Sequence, residues 1–116
     1  MITDQREQYE GLFVLDAELS DDAVAKAQQQ LVEQITKLGG AVDRQQPWGK
    51  RRLAYRVRKR RDGFYVLLVF TLAPSAVGPL EQWCALNEGI LRRLILRATA
   101  ASLQPVEAAT THGQSQ

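Results

Sequence analysis

The nine residues Phe64-Tyr65-Val66-Leu67-Leu68-Val69-Phe70-Thr71-Leu72 constrain the fold more than any other stretch of this chain. They are apolar on both faces of an extended backbone, and far shorter than the roughly 20 residues that cross a bilayer as a helix. A strand of this kind needs neighbours on both edges and cover on its faces, so it is predicted to be a central strand. The segment before it is of opposite character. Ala41–Lys59 reads as a long second strand interrupted near Pro47–Gly49, because proline cannot donate to a ladder and belongs at an edge or a bulge. From Lys50 onward its faces separate. Leu53, Tyr55 and Val57 fall on one side, and Lys50, Arg52, Arg56 and Arg58 on the other, with Ala54 among them. Arg60-Arg61-Asp62-Gly63 is expected to be the turn between the two strands, since Asp-Gly is a strong hairpin signal.

The remaining elements follow from periodicity. Residues 1–8 are polar and are expected to be a flexible leader, and Tyr9–Leu15 is the first strand. Ser20 is placed as an N-cap, with Asp21 and Asp22 in the first turn where the helix dipole favours negative charge. Val24, Ala27, Leu31, Ile35 and Leu38 then recur at steps of three and four, the stripe of an amphipathic helix. Gly39-Gly40 ends it. A second helix starts near Ala73-Pro74-Ser75, with Val77, Leu80, Trp83, Cys84 and Leu86 as its core residues. Gly78-Pro79 predicts a late start or a kink in it. Asn87-Glu88-Gly89 breaks the helix, Ile90–Ala98 is the fourth strand, and 99–116 is expected to be a disordered tail. The order β-α-β-β-α-β is that of the α+β, ferredoxin-like split βαβ arrangement: a four-stranded antiparallel sheet with two helices on one face. One domain over 9–98 accounts for the chain. The other sheet face is left open, and an apolar open face awaits a partner.

Charge is sorted along the chain. Residues 1–43 hold nine acids against Arg6, Lys26 and Lys37, whereas 44–63 hold nine cations against Asp62. Such asymmetry points to an anionic partner at one place. The start, MITDQREQYEG, has no apolar signal-peptide core, so an intracellular protein is expected. Cys84 is the single cysteine and His112 the single histidine. With no internal disulfide possible and no thiol–histidine pair within the domain, neither catalysis nor a cysteine-rich or histidine-based metal site is expected.

The run Trp48-Gly49-Lys50-Arg51-Arg52-Leu53-Ala54-Tyr55 is more specific than any pattern. It resembles the signature of the bacterial small-subunit ribosomal protein S-six family. Tyr9-Glu10, Leu19-Ser20, Gly39-Gly40, Asp62-Gly63-Phe64-Tyr65-Val66 and Ile90-Leu91-Arg92 match that family in order, over residues 9–98. The resemblance implies a structural constituent of the small ribosomal subunit, with no catalytic residues and no cofactor. It implies binding to the central domain of 16S ribosomal RNA, as a heterodimer with the neighbouring small-subunit protein S-eighteen, in support of subunit assembly and translation. The implied location is cytoplasmic, or the plastid stroma for a plastid chain.

Eight cations stand in the twelve residues Lys50–Arg61. A solvated strand edge needs fewer. Most are arginine, whose planar fork suits phosphate. Lys50, Arg51, Arg52, Arg56, Arg58, Arg60 and Arg61 are therefore the candidate RNA-binding residues, with Lys59 in the same run. Trp48, Arg92 and Arg93 are candidates for RNA or partner contact. Tyr55 is expected to pack in the core beside Leu53 and Val57, and Trp48 either stacks on bases or covers the end of the core. Two rivals share the element order. An RNA-recognition motif would stack bases on Phe64 and Tyr65, but the later alternation fails at Leu68 and Val69. An acylphosphatase-like enzyme would need a glycine-rich phosphate loop where this chain has Asp16–Asp22, acidic and without glycine.

Overall fold

The computed structural model describes residues 5–18 and 20–98. Leu19, the first four residues of the expected leader and the expected tail at 99–116 lie outside them. The elements are β1 (Glu7–Asp16), α1 (Asp21–Lys37), β2 (Ala41–Val57), β3 (Arg60–Leu72), α2 (Pro74–Leu86) and β4 (Ile90–Arg97). All neighbouring strands are antiparallel, in the order β2-β3-β1-β4. The twofold-apolar segment lies in β3, which is interior, as its composition requires. β1 begins two residues before the expected Tyr9, because Glu7 and Gln8 pair with Leu72 and Thr71.

The helices cover one face. Ser20 caps α1, its hydroxyl accepting from the Ala23 backbone N–H at 3.1 Å, and Gly39 closes it with a φ of +90°. The stripe Val24, Ala27, Leu31 and Ile35 is buried, with Leu38 packed at its end. It meets Tyr9, Phe13 and Leu15 of β1 and Val66, Leu68, Phe70 and Leu72 of β3. Full burial of each such side chain contributes about 1.5–3 kcal/mol. From α2, Leu80 and Cys84 are buried, and Val77 and Trp83 pack partly against the same core. Leu86, expected in that core, is 79% exposed at the last helical position. Nor does α2 start late. Pro74 takes the first turn, where a missing N–H costs nothing, and Pro79 stays inside the helix on an exposed position.

The β2–β3 connection is also not the expected one. The turn is Arg58-Lys59, with both residues at positive φ, +52° and +68°, and Val57 pairs with Arg60 across it. Two positive φ angles are the backbone of a type I′ hairpin turn. In residues that carry a Cβ this costs about 1–2 kcal/mol each. Asp62-Gly63 lies two residues into β3, opposite Arg52 and Arg51. Glycine is needed there for space. A Cβ on Gly63 would overlap Val14 Cγ1 and come within 3.1 Å of Leu53 Cδ2.

Candidate nucleic-acid interface

β2 is an edge strand and breaks register three times. Trp48 is an extra residue between Pro47 and Gly49, and Gly49 takes a φ of +88° to accommodate it. This is the interruption read from Pro47–Gly49. Further on, Arg52 pairs with Asp62 and Val57 with Arg60, so residues 53–56 stand opposite Arg61 alone. Four residues against one make an unusually large bulge. It resets the alternation on which the separation of faces rested.

The consequences fall on named side chains. Leu53 turns under the sheet's open face to join Val14 and Leu91 in a small second core, with Val57 and Tyr65 packed beside it. Tyr55, expected in the core, is 59% exposed. Its hydroxyl accepts a hydrogen bond from Arg92 Nη1, and the Arg92 guanidinium lies 5.2 Å from its ring centroid. Since Arg92 is on β4, the bulge spans the open face above β3 and β1. Trp48 is 39% exposed and stacks on Tyr65, with centroids 6.5 Å apart and planes 6° from parallel. Arg51 sits 5.8 Å over the Trp48 ring. These aromatics are engaged with their own chain. Phe64 is on the opposite face against the main core, so Phe64 and Tyr65 do not form a shared stacking platform of the RNA-recognition type.

The structure sorts the cations into two groups. Arg52 Nε binds Asp62 Oδ1 at 3.1 Å. Arg58 Nη1 donates to the Glu88 carbonyl at 3.2 Å. Arg60 Nε donates to both oxygens of buried Asp16, at 3.1 and 3.2 Å, and its Nη1 lies 3.4 Å from Glu18 Oε1. Each of these three has a partner within the chain, and the Arg52 side chain is still 72% exposed. Lys50, Arg51, Arg56, Lys59 and Arg61 are exposed and form no ion pair among the described residues. Lys50 faces the helix side, beside Asp21, Gln28 and Phe64, so the cations line an edge and not one flat face. Arg92 and Arg93 also separate. Arg92 pairs with Val14 on the open face, and Arg93 with Phe13 on the helix face. There Arg93 and Glu81 act in opposite senses on Cys84, whose thiol burial pushes up to about 12.

The open face completes the site. Between β2 and β4 lies a depression of about 270 Å³ lined by Leu12, Val14, Leu53, Tyr55, Tyr65 and Leu94, among others. Leu94 and Leu96 of edge strand β4 are 54% and 50% exposed. Among the described residues there is no cluster of side chains that would hold a metal ion, and no helix long and apolar enough to cross a membrane.

Sequence and fold comparisons agree with this geometry. The family model described as Ribosomal protein S6 matches residues 8–97. The small ribosomal subunit protein bS6 of Chlamydia trachomatis serovar L2 is 40% identical over 92 residues, covering 79% of this chain and 82% of its own. That of Protochlamydia amoebophila is 43% identical over 89 residues, 77% of this chain and 78% of its own. The 30S ribosomal protein S6 of Thermotoga maritima superposes with a TM-score of 0.67 over 96% of this chain and 100% of that one, at 19% identity, a likeness of fold. The element order, the basic edge strand and these matches place the chain in the ribosomal protein S6 family, structural proteins of the small ribosomal subunit and not enzymes.

Proposed function

We propose that this protein binds the central domain of 16S ribosomal RNA through its basic edge, and docks the small-subunit protein S-eighteen on its apolar open face. The observation that carries the RNA half is the set Lys50, Arg51, Arg56, Lys59 and Arg61, exposed and without carboxylate partners along one sheet edge and its hairpin. Cations left unpaired in this density suit phosphate oxygens, and contacts of this kind read backbone shape and not sequence. The half-exposed Leu94 and Leu96 support the partner half, since such apolar surface on a sheet face gains most from being covered by another protein. The identity of the RNA segment and of the partner rests on family membership. The site of action is the small subunit of cytoplasmic ribosomes, or of plastid ribosomes in a plastid chain.

The test is the affinity for a central-domain 16S RNA fragment, with and without S-eighteen, across a salt series. Tight binding in the presence of S-eighteen, falling steeply with salt, is expected. A variant carrying Lys50→Ala, Arg51→Ala, Arg56→Ala and Arg61→Ala should bind weakly. Its slope of log affinity against log salt should be shallower by about one for each phosphate that is no longer neutralised. Wild-type affinity in that variant would remove the basic edge from the mechanism.

A further inference from the structure

We infer that Asp16, an acid buried at the end of β1, is a positioning residue for RNA binding. With Glu88 it clamps the basic hairpin tip so that Lys59 and Arg61 are presented in one arrangement. The inference rests on the RNA-binding role of that tip. Lys59 sits at the apex of the Arg58-Lys59 turn, both residues in the left-handed conformation that side chains rarely adopt. Backbone held in such a region persists only where its surroundings impose it. The two flanking residues supply that constraint from opposite sides. Arg58 reaches across to the Glu88 carbonyl at the approach to β4. Arg60 is gripped through Nε by both oxygens of Asp16, and through Nη1 by Glu18. Asp16 is itself fixed. Its Oδ1 accepts the Glu18 backbone N–H at 3.0 Å, and its own backbone N–H donates to the Gly89 carbonyl at 2.9 Å. The end of β1 and the α2–β4 turn thus form one anchor for the tip. The anchor matters because residues 53–56 bulge away opposite Arg61, so the ladder on the β2 side is too irregular to hold the tip alone.

This assigns Arg58 and Arg60, both in the basic run, as anchors and not phosphate ligands. Two carboxylates around the Arg60 guanidinium leave no net positive charge there for phosphate. Preorganisation of the tip lowers the ordering cost on binding.

The assignment makes a prediction opposite in sign to simple charge. Neutralising an acid beside an RNA interface should strengthen binding by relieving repulsion. Asp16→Asn is instead expected to weaken it, because the amide oxygen still accepts from the Glu18 N–H but the charge and the Oδ2 acceptor that grip Arg60 are lost, which loosens Arg60. Affinity of Asp16→Asn for the central-domain RNA fragment in the presence of S-eighteen is measured across a salt series, alongside Arg60→Gln and the double variant. The expected result is a loss of affinity in Asp16→Asn, a salt slope shallower by about one, and no further loss when Arg60→Gln is added. Binding equal to or tighter than wild type in Asp16→Asn overturns the inference. So does an additional loss in the double variant, which would make Arg60 a phosphate ligand. Should Asp16→Asn fail to fold, Glu18→Gln, which removes the carboxylate on Arg60 Nη1, carries the test, with a smaller loss expected and unchanged or tighter binding overturning the inference. The quadruple alanine variant separates the two ideas. If it binds RNA as wild type does, the RNA-binding reading itself fails. If it binds weakly while Asp16→Asn does not, the positioning role alone fails.

Discussion

At Gly63, a residue with no side chain decides how two strands approach. Its place in Asp62-Gly63 suggests a turn, but Val14 and Leu53 pack where its Cβ would stand. Gly63→Ala should therefore destabilise the fold by about 1–3 kcal/mol through overpacking, read from the urea midpoint, and Val14→Ala in the same chain should recover part of it. A turn glycine would show no such rescue. Cys84 gives a second prediction. Burial raises its thiol to about 12 from 9.0, with Arg93 opposing and Glu81 reinforcing the shift. Above the unfolded value the unfolded chain loses the proton while the folded chain keeps it. Stability therefore falls as pH rises from 9.0 toward 12, with no effect below. Comparing urea midpoints of wild type and Cys84→Ala at about pH 8 and about pH 10 isolates the effect, and the wild type should lose more. The spacing of α2 put Cys84 in the core, whereas nothing local marks the neighbour that Gly63 must avoid.

Among the elements, α1 was readable end to end because its capping serine, stripe and glycine stop are all local signals. In α2 the local signals conflict. Pro79 removes a backbone donor in the helix interior, and Ala73 offers no side-chain cap. Yet the helix runs from Pro74 because Leu80 and Cys84 are buried against the sheet. Tertiary burial overrides propensity here. Pro79→Ala should raise stability by about 1–3 kcal/mol by restoring a helical hydrogen bond and removing a clash, measured as an increase in thermal midpoint. No change would mean that the preceding turn has already adapted to the proline. β2 is the element that sequence described least well. Alternation assumes an unbroken ladder, and the bulge at residues 53–56 breaks it, which carries Tyr55 out of the core and onto Arg92.

Across the whole molecule, two surfaces with different chemistry meet at β2: a cationic edge and an apolar sheet face. They should be separable by mutation. Leu94→Lys with Leu96→Lys changes exposed positions only, so stability should move by less than about 0.5 kcal/mol, while S-eighteen binding measured by calorimetry should be lost. Unchanged S-eighteen affinity would move the partner off this face. Element order, the central place of β3, the helix-covered face and the concentration of cations between Lys50 and Arg61 were all determined by sequence alone, because hydrophobic period and charge are local properties of the chain. Which cations have partners within the chain was decided only by the tertiary structure. Asp16, Glu18, Asp62 and the Glu88 carbonyl claim Arg60, Arg52 and Arg58. Two of those acids, Asp16 and Glu18, lie more than forty residues away in sequence from the arginine they hold. A charge shows its sign in the sequence, but its partner appears only when the strands are brought side by side.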